Sequence, residues 1–240
     1  MPRWGMVVDT RRCIGCQACT IACKTENDVP LGVWRTQVRY FEKGKYPLVR
    51  RHFLPLLCDH CDEAPCVDAS DNNGVGSFYK TKDGVILIDY KKLEGRTKKQ
   101  IETETQAAIE ACPLEAVFMN PITMMPEKCT YCYHRVSNGL VPACVQTCLG
   151  RSRVFGDLDD PNSPVSKLIA TNATRTLMPA DDGGGAGGHY ITLEGGLLDY
   201  GALEGGRQID PQDFENGTLS MTTGPAMKGH GAKNPGHKKK

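Results

Sequence analysis

Apolar residues in the first half of the chain fall into short alternating or clustered runs, the pattern typical of half-buried and buried strands. These runs cover residues 4–9, 35–40, 49–57 and 85–89. The last run follows a strong turn signal, Lys-Asp-Gly at residues 82–84. The pattern therefore predicts several short strands separated by loops.

Three other segments favour helix. Residues 16–24 predict a loop that turns into a helix. Residues 97–112 are rich in helix formers and stop before Pro113, which cannot continue a helix. A third, shorter helix is predicted over residues 164–170, after a turn at 160–163. Together with the strands, these helices predict an α+β fold with irregular loops.

The composition changes beyond about residue 178. Residues 183–188 read Gly-Gly-Gly-Ala-Gly-Gly, and the remainder is rich in Gly, Pro, Asn and Lys with few large apolar side chains. Such a segment buries too little apolar surface to fold alone. We therefore predict that residues 179–240 form an extended, Gly-rich C-terminal arm lying on a partner subunit.

The length and charge of the chain limit the number of domains and the kinds of partner that we expect. The 240 residues, 40% hydrophobic, are enough for one large or two small domains. With 29 basic and 28 acidic residues the net charge is +1, which gives no reason to expect nucleic acid or an anionic membrane surface as the main partner.

The apolar runs are far shorter than the roughly 20 residues that span a bilayer, and residues 1–9 lack the pattern of a signal peptide. The sequence thus predicts no transmembrane segment and no signal peptide of its own. The expected location is cytoplasmic or peripheral at the cytoplasmic membrane. A periplasmic location would require co-export with a partner that carries the signal.

Twelve cysteines fall into four runs, and the first run has the spacing C-x2-C-x2-C-x3-C of bacterial ferredoxins. In that pattern the fourth cysteine ligates a different [4Fe–4S] cluster from the first three, so each run needs a partner run. The natural partner begins at Cys129 and has its middle gap lengthened to eleven residues. The predicted first set is Cys13, Cys16, Cys19 and Cys148. The predicted second set is Cys23, Cys129, Cys132 and Cys144.

The remaining cysteines make one further set. Cys58, Cys61 and Cys66 form C-x2-C-x4-C, and Cys112 before a proline resembles the last cysteine of a run whose first three members are missing. These four are the predicted ligands of a third cluster. Ser70 stands where a fourth cysteine is due, and no cysteine is left over. A fourth cluster has therefore been lost as a unit, with the helix at 97–112 in place of its loop.

This arithmetic predicts duplicated bacterial-ferredoxin-like modules. Residues 1–48 with 114–178 would form a first module with two clusters. Residues 49–113 would form a second module that holds one cluster and has lost one.

Two other uses of twelve cysteines are less consistent with the spacing. Disulfides belong to oxidising compartments, and C-x2-C loops are too tight to bridge comfortably. Zinc accepts C-x2-C pairs but does not explain triplets with a distant fourth cysteine before a proline. Iron–sulfur clusters remain the favoured interpretation.

Other polar residues near the cysteines are weaker candidates. We expect His60 and His134 to be solvent-facing loop residues rather than groups that tune a cluster. Tyr131 and Tyr133 are expected to pack around a cluster, and Ser70 is not expected to ligate iron.

Four stretches carry a resemblance to a known family: residues 12–19, 57–67, 128–135 and 155–161. They resemble the electron-transfer subunit of the dimethyl sulfoxide reductase family of molybdenum or tungsten enzymes. The similarity covers residues 4–170, and is closest to subunits that accompany tetrathionate, thiosulfate and polysulfide reductases and sulfite-oxidising enzymes. The family usually binds four cubes, whereas this chain lacks every ligand of the fourth, and Leu149 follows Cys148 where proline is usual.

The resemblance implies a non-catalytic subunit that relays electrons one at a time through three [4Fe–4S] clusters. One partner would be a large catalytic subunit carrying a molybdenum or tungsten bis-pterin cofactor. The other would be a membrane-anchor, quinone-reactive subunit or another redox protein. Two alternatives stay open: an independent ferredoxin-type carrier, and an adaptor protein whose clusters are structural.

Overall fold

The computed structural model describes residues 1–43, 46–177, 187–192 and 207–208. Its helices are α1 (Ala18–Glu26), α2 (Pro65–Asn72), α3 (Lys98–Ala111), α4 (Tyr133–Val136), α5 (Ala143–Gln146) and α6 (Pro164–Thr171). Its strands are β1 (Trp4–Asp9), β2 (Thr36–Lys43), β3 (Arg50–Leu57), β4 (Phe78–Lys80), β5 (Ile86–Ile88), β6 (Val117–Met119), β7 (Pro126–Lys128), β8 (Arg153–Asp157), β9 (Thr174–Arg175), β10 (Gly188–Ile191) and β11 (Arg207–Gln208). This mixture of short elements is the predicted α+β class.

The largest sheet is built around β1. Its strand order is β8-β1-β10-β9, with β1 antiparallel to β8 and parallel to β10. Val7 packs on Val165 of α6, whereas Met6 and Val8 join the main core on the other face. Because β1 is buried on both faces, its sequence reads as a continuous apolar run rather than an alternating one.

A long hairpin of β2 and β3 forms the second sheet, with β11 on the outer edge of β2. Val38 and Leu54 lie in the main core together with several of the cysteines. The hairpin also supports the first cysteine loop, since Gln17 donates from its side-chain amide to the Val38 carbonyl and Tyr40 donates to the Gly15 carbonyl. The sheet therefore positions the first ligand run.

The middle of the chain packs α2 against α3, beside the hairpin of β4 and β5. Thr97 and Gln100 form a capping box that starts α3, and the helix ends at Ala111, followed by its C-cap residue Cys112. Phe78 and Ala108 are fully buried here, in a cluster that includes Cys61 and Cys66. This second core holds Cys61 and Cys66 of the third cysteine set, whereas Cys58 lies in the main core.

The structure differs from the expectation for the C-terminal arm in one part. Residues 188–191 form β10 inside the chain's own largest sheet, between β1 and β9. Residues 207–208 likewise pair with β2. The rest of the predicted arm lies outside the described residues. Among the residues that are described, no helix is long and apolar enough to cross a bilayer.

Candidate metal centres

All twelve cysteines are free thiols, and Cys16 is the one that is exposed. Eight of the others are buried, and Cys13, Cys112 and Cys148 are half-buried. Thiols of this kind need a strong reason to ionise, because burial favours the neutral form. A metal supplies that reason, since thiolate is the form that ligates it.

The first set is brought together across the chain. Cys13, Cys16, Cys19 and Cys148 line a single cavity. Burial raises the pKa of Cys13, and its neighbours Cys19 and Cys148 raise it further. The loop after Cys148 fits tightly: a Cβ on Gly150 would lie well inside contact distance of the Arg12 carbonyl oxygen.

The second set gathers around Cys23. Burial raises the pKa of Cys23 to about 12, and Cys144 and Cys132 are the neighbouring thiols that raise it further. Asn27 spans the set, with its amide nitrogen 3.6 Å from the Cys23 sulfur and 3.9 Å from the Cys132 sulfur. Cys129 is buried, and its pKa is raised by burial and then by Cys23. Cys23 is thus next to the late run, whereas Cys148 is next to the early one.

The third set lies between α2 and the end of α3. Burial raises the pKa of Cys61 to about 12, and Cys58, Cys112 and Cys66 are the thiols that add to the rise. Burial likewise raises the pKa of Cys66 to about 12, again with Cys58 and Cys112 as its neighbours. The isolated Cys112 therefore joins the triplet that precedes it by more than forty residues.

The three sets lie in a row. After burial, Cys132 and Cys19 are among the neighbours that raise the pKa of Cys144, which links the first set to the second. Cys58 similarly raises the pKa of Cys129, which links the second set to the third. At this second junction the rings of His60 and Tyr131 pack with centroids 3.9 Å apart. Neighbouring sets are thus close enough for their thiols to influence one another.

Three of the four C-x2-C loops, those ending at Cys16, Cys61 and Cys132, share one backbone feature. In each, the residue before the second cysteine is left-handed: Gly15 has φ +69°, His60 φ +51° and Tyr131 φ +50°. For a histidine or tyrosine this conformation costs about 1–3 kcal/mol, and such strain is concentrated at functional sites. In the Tyr131 loop the turn directs the backbone N–H at the Cys129 sulfur, 3.4 Å away. Donors of this type stabilise negative charge on sulfur and adjust cluster potentials.

The histidines beside the cysteines differ in their exposure to solvent. The expectation that His60 faces solvent is wrong: it is 1% exposed, and its Nδ1 accepts from the Ile86 backbone N–H. The left-handed turn directs the ring inward against the buried ring of Tyr131. The solvent-facing position of His134 is confirmed, because its half-exposed ring contacts Glu26 on the surface.

The Ser70 hydroxyl takes part in a hydrogen bond within the protein. It is fully buried and donates a hydrogen bond to Glu104 of α3. Glu104 also accepts from the backbone N–H and the hydroxyl of Ser77, at 2.9 and 2.8 Å. A polar hydrogen-bond network thus occupies the place where a fourth ligand run would begin.

Two buried cations were not found by reasoning from the sequence. Arg153 is 3% exposed, and Lys128 is 1% exposed. Burial lowers the pKa of Arg153, but the negative charges of Cys144 and Cys19 raise it by more, so the net pKa lies above its ordinary value. Their positions in the sequence could have indicated a place near the cysteines. Lys128 directly precedes Cys129, and Arg153 follows Cys148 by five residues.

These features fit clusters of several irons. Four thiols surround a volume rather than a point, backbone amides are directed at sulfur, and buried cations stand nearby. Each cube, when bound, would supply one-electron redox chemistry. In the part of the chain that the structure describes, no group of three or more His, Cys, Asp or Glu has the geometry to hold a single ion.

Known proteins resemble this chain over most of its length. Residues 49–158 match the family described as a 4Fe-4S dicluster domain. The chain is 37% identical to a tetrathionate reductase subunit from Salmonella typhimurium over 182 residues, 74% of this chain and 68% of that protein. It is 34% identical to the arsenate respiratory reductase iron-sulfur subunit of a Shewanella species over 217 residues, 74% of this chain and 91% of that one. A selenate reductase subunit from Mesobacillus selenatarsenatis is 34% identical over 193 residues, 70% of this chain and 65% of its own length.

Proposed function

Since the chain belongs to the iron–sulfur subunits of the dimethyl sulfoxide reductase family, we propose that it relays electrons through three [4Fe–4S] clusters. One end of the route is a catalytic subunit with a molybdenum or tungsten bis-pterin cofactor. The other end is an external or membrane-bound acceptor or donor. The chain itself is the electron-transfer component and not the site of substrate chemistry.

The crossed arrangement of the cysteines is the observation that carries this proposal. Cys148 lies beside Cys13, whereas Cys23 lies beside Cys132 and Cys144. This is the interleaving that a two-cluster ferredoxin requires, and it is not expected of independent zinc sites. We therefore assign the first cluster to Cys13, Cys16, Cys19 and Cys148. The second is assigned to Cys23, Cys129, Cys132 and Cys144, and the third to Cys58, Cys61, Cys66 and Cys112.

The module boundaries follow from the same assignment. Residues 1–48 with 114–178 make the two-cluster module, which is supported by the pairing of β1 with β8. Residues 49–113 make the second, one-cluster module. Of residues 179–240, those outside β10 and β11 are proposed to extend along the catalytic subunit.

The first set is the end of the row that faces a partner. Cys16 is exposed, and Ile14 and Leu149 beside the set are 59% and 76% exposed. Apolar side chains around an accessible ligand suit a docked redox subunit, because docking removes both from water. At the other end, the Ser70–Glu104 hydrogen-bond network lies where a fourth cluster would continue the row. The third set is therefore the last one, and electrons would leave or enter near it.

The protein's own residues do three things for electron transfer. The cysteines fix the positions of the clusters, the cores around β1 and α3 exclude water, and backbone amides donate to sulfur. Rigid, dry surroundings limit rearrangement on each one-electron step and set the potentials.

Metal analysis of the full chain, purified anaerobically from its native host, tests the proposal. We expect about twelve irons per chain, from three cubes of four, and redox-active signals in electron paramagnetic resonance (EPR). A large chain containing molybdenum or tungsten should copurify. About sixteen irons would mean a fourth cluster, zinc in place of iron would refute the redox role, and a chain that purifies alone would favour an independent carrier.

A further inference from the structure

Two positively charged side chains are buried among the cysteines, and no carboxylate of the described residues pairs with them. Arg153 and Lys128 are almost completely buried, and in the described part of the chain neither forms an ion pair with Asp or Glu. By contrast, Arg51 at the surface pairs with Glu42 at 2.6 Å. An isolated buried charge is costly, so a buried cation normally has an anion beside it.

Arg153 lies where the first two sets meet. It lines the cavity of the first set and lies close enough to Cys19, Cys144 and Cys129 to interact with their charges. One guanidinium nitrogen donates to the Thr36 hydroxyl at 2.8 Å, which fixes the side chain. Nη1 has no hydrogen-bond partner among the described residues. The guanidinium is therefore held between two cysteine sets with an unused donor.

Lys128 lies where the second and third sets meet: its ammonium contacts Cys129 of the second set and Ile86, which packs in one cluster with Cys61 and Cys66 of the third. Its ammonium donates to the carbonyls of Ile86 and Cys129, at 2.5 and 2.8 Å. Its charge acts on Cys66 and Cys112, two of the four thiols of the third set. Two carbonyl oxygens hold the ammonium in place but do not cancel its charge.

We propose that Arg153 and Lys128 are tuning residues: Arg153 raises the reduction potentials of the first and second clusters, and Lys128 raises that of the third. The inference rests on the proposed function. A cube bound by four thiolates is an anion, and reduction adds one more negative charge to it. A fixed cation nearby in a poorly screened interior stabilises the reduced state more than the oxidised one. Each cluster thus takes an electron more readily than its thiolates alone would allow.

The experiment is a redox titration followed by EPR, on the full chain purified anaerobically in its native assembly. The variants are Arg153→Gln, Arg153→Lys and Lys128→Gln, with Arg51→Gln as a matched control that removes an exposed, paired arginine. Iron content and melting temperature are measured for each variant. Loss of the first cluster's signal in Cys148→Ser identifies that signal.

Arg153→Gln should lower the equilibrium constant for reduction of the first and second clusters at least tenfold, about 59 mV for one electron. The third cluster should change much less. Lys128→Gln should lower the reduction potential of the third cluster and leave that of the first cluster unchanged. Arg153→Lys keeps the charge, so the reduction potential of its first cluster should lie close to the wild-type value. Arg51→Gln should change the potential of no cluster.

Several outcomes would overturn the inference. One is an Arg153→Gln protein with full iron content and unchanged potentials, and another is an equal fall in all three clusters. If Arg153→Gln does not bind iron, Lys128→Gln decides at the third set, where an unchanged potential refutes the idea. Wild-type protein without any redox-active cluster would instead refute the proposed function itself.

Discussion

Replacing Glu104 by alanine should destabilise the module around the third cysteine set. Glu104 is fully buried in α3, and one of its carboxylate oxygens accepts three hydrogen bonds. The donors are the Ser70 hydroxyl, the Ser77 hydroxyl and the Ser77 backbone N–H. This single oxygen joins α2, which carries Ser70, to α3 and to the segment that leads into β4.

The size of the effect follows from what alanine leaves behind. The Ser77 N–H cannot turn away and becomes an unsatisfied buried donor, at about 1–3 kcal/mol. The two hydroxyls can rotate, so each loses roughly 0.5–1.5 kcal/mol. The second carboxylate oxygen has no hydrogen-bond partner among the described residues. Removing this unsatisfied oxygen offsets part of the lost stability. A net destabilisation of about 3 kcal/mol corresponds to a fall in melting temperature of roughly 6–12 °C for a chain of this size.

Thermal unfolding of the iron-loaded chain, followed by circular dichroism, measures this fall. Glu102→Ala is the matched control, because Glu102 is an exposed glutamate on the same helix. Its effect should stay within about 0.5 kcal/mol of zero. Because Cys66 lies on α2 and Cys112 at the end of α3, the Glu104 variant should also lose iron from the third set, up to about four atoms per chain.

Equal melting temperatures for the Glu104→Ala and Glu102→Ala proteins would refute this reasoning. Such a result would mean that apolar packing alone, through residues such as Phe78 and Ala108, holds α2 against α3. The hydrogen-bond network would then have no structural role in place of the lost cluster.

Three further predictions concern the ligand sets. Cys148→Ser should abolish the first cluster's EPR signal and spare the second, and Cys23→Ser should do the reverse; loss of the first signal in the Cys23 variant would rule out the crossed assignment. Gly150→Ala should lower stability by about 1–3 kcal/mol in thermal unfolding, since its Cβ would collide with the Arg12 carbonyl oxygen; a wild-type melting temperature would contradict this close approach. Ser70→Cys should leave the iron content unchanged, because the other three thiols of the lost cluster are absent, and a gain of about four irons would disprove that.

The cysteine sets could be proposed from sequence because ligand spacing is itself the constraint that a cube imposes. The same is true of α3, whose capping residue Thr97 and terminating Pro113 are local signals. Helix α2 was missed because its sequence, with Asp68, Ser70 and Asn72, has poor helix propensity. It forms because Pro65 suits a first helical position and because packing on α3 outweighs propensity.

Other features depended on tertiary contacts that no local pattern records. His60 reads as a loop residue between two cysteines, and only the left-handed turn and the packing against Tyr131 direct it inward. Strand β10 follows closely on a Gly-rich stretch, where composition argues against structure. Its backbone is satisfied by β1 on one side and β9 on the other, so the sheet provides the order that the segment lacks alone.

The parallel pairing of β1 with β10 has a consequence for biosynthesis. Met6 aligns with Gly188, so β1 leaves the ribosome long before the strand that pairs with it has been translated. At about 5–20 residues per second, that interval is roughly 10–40 s. During this time the nascent polypeptide carries reactive sulfhydryl groups without their final shelter. Iron loading is therefore expected to follow translation of most of the chain, and protection from oxygen is needed until then.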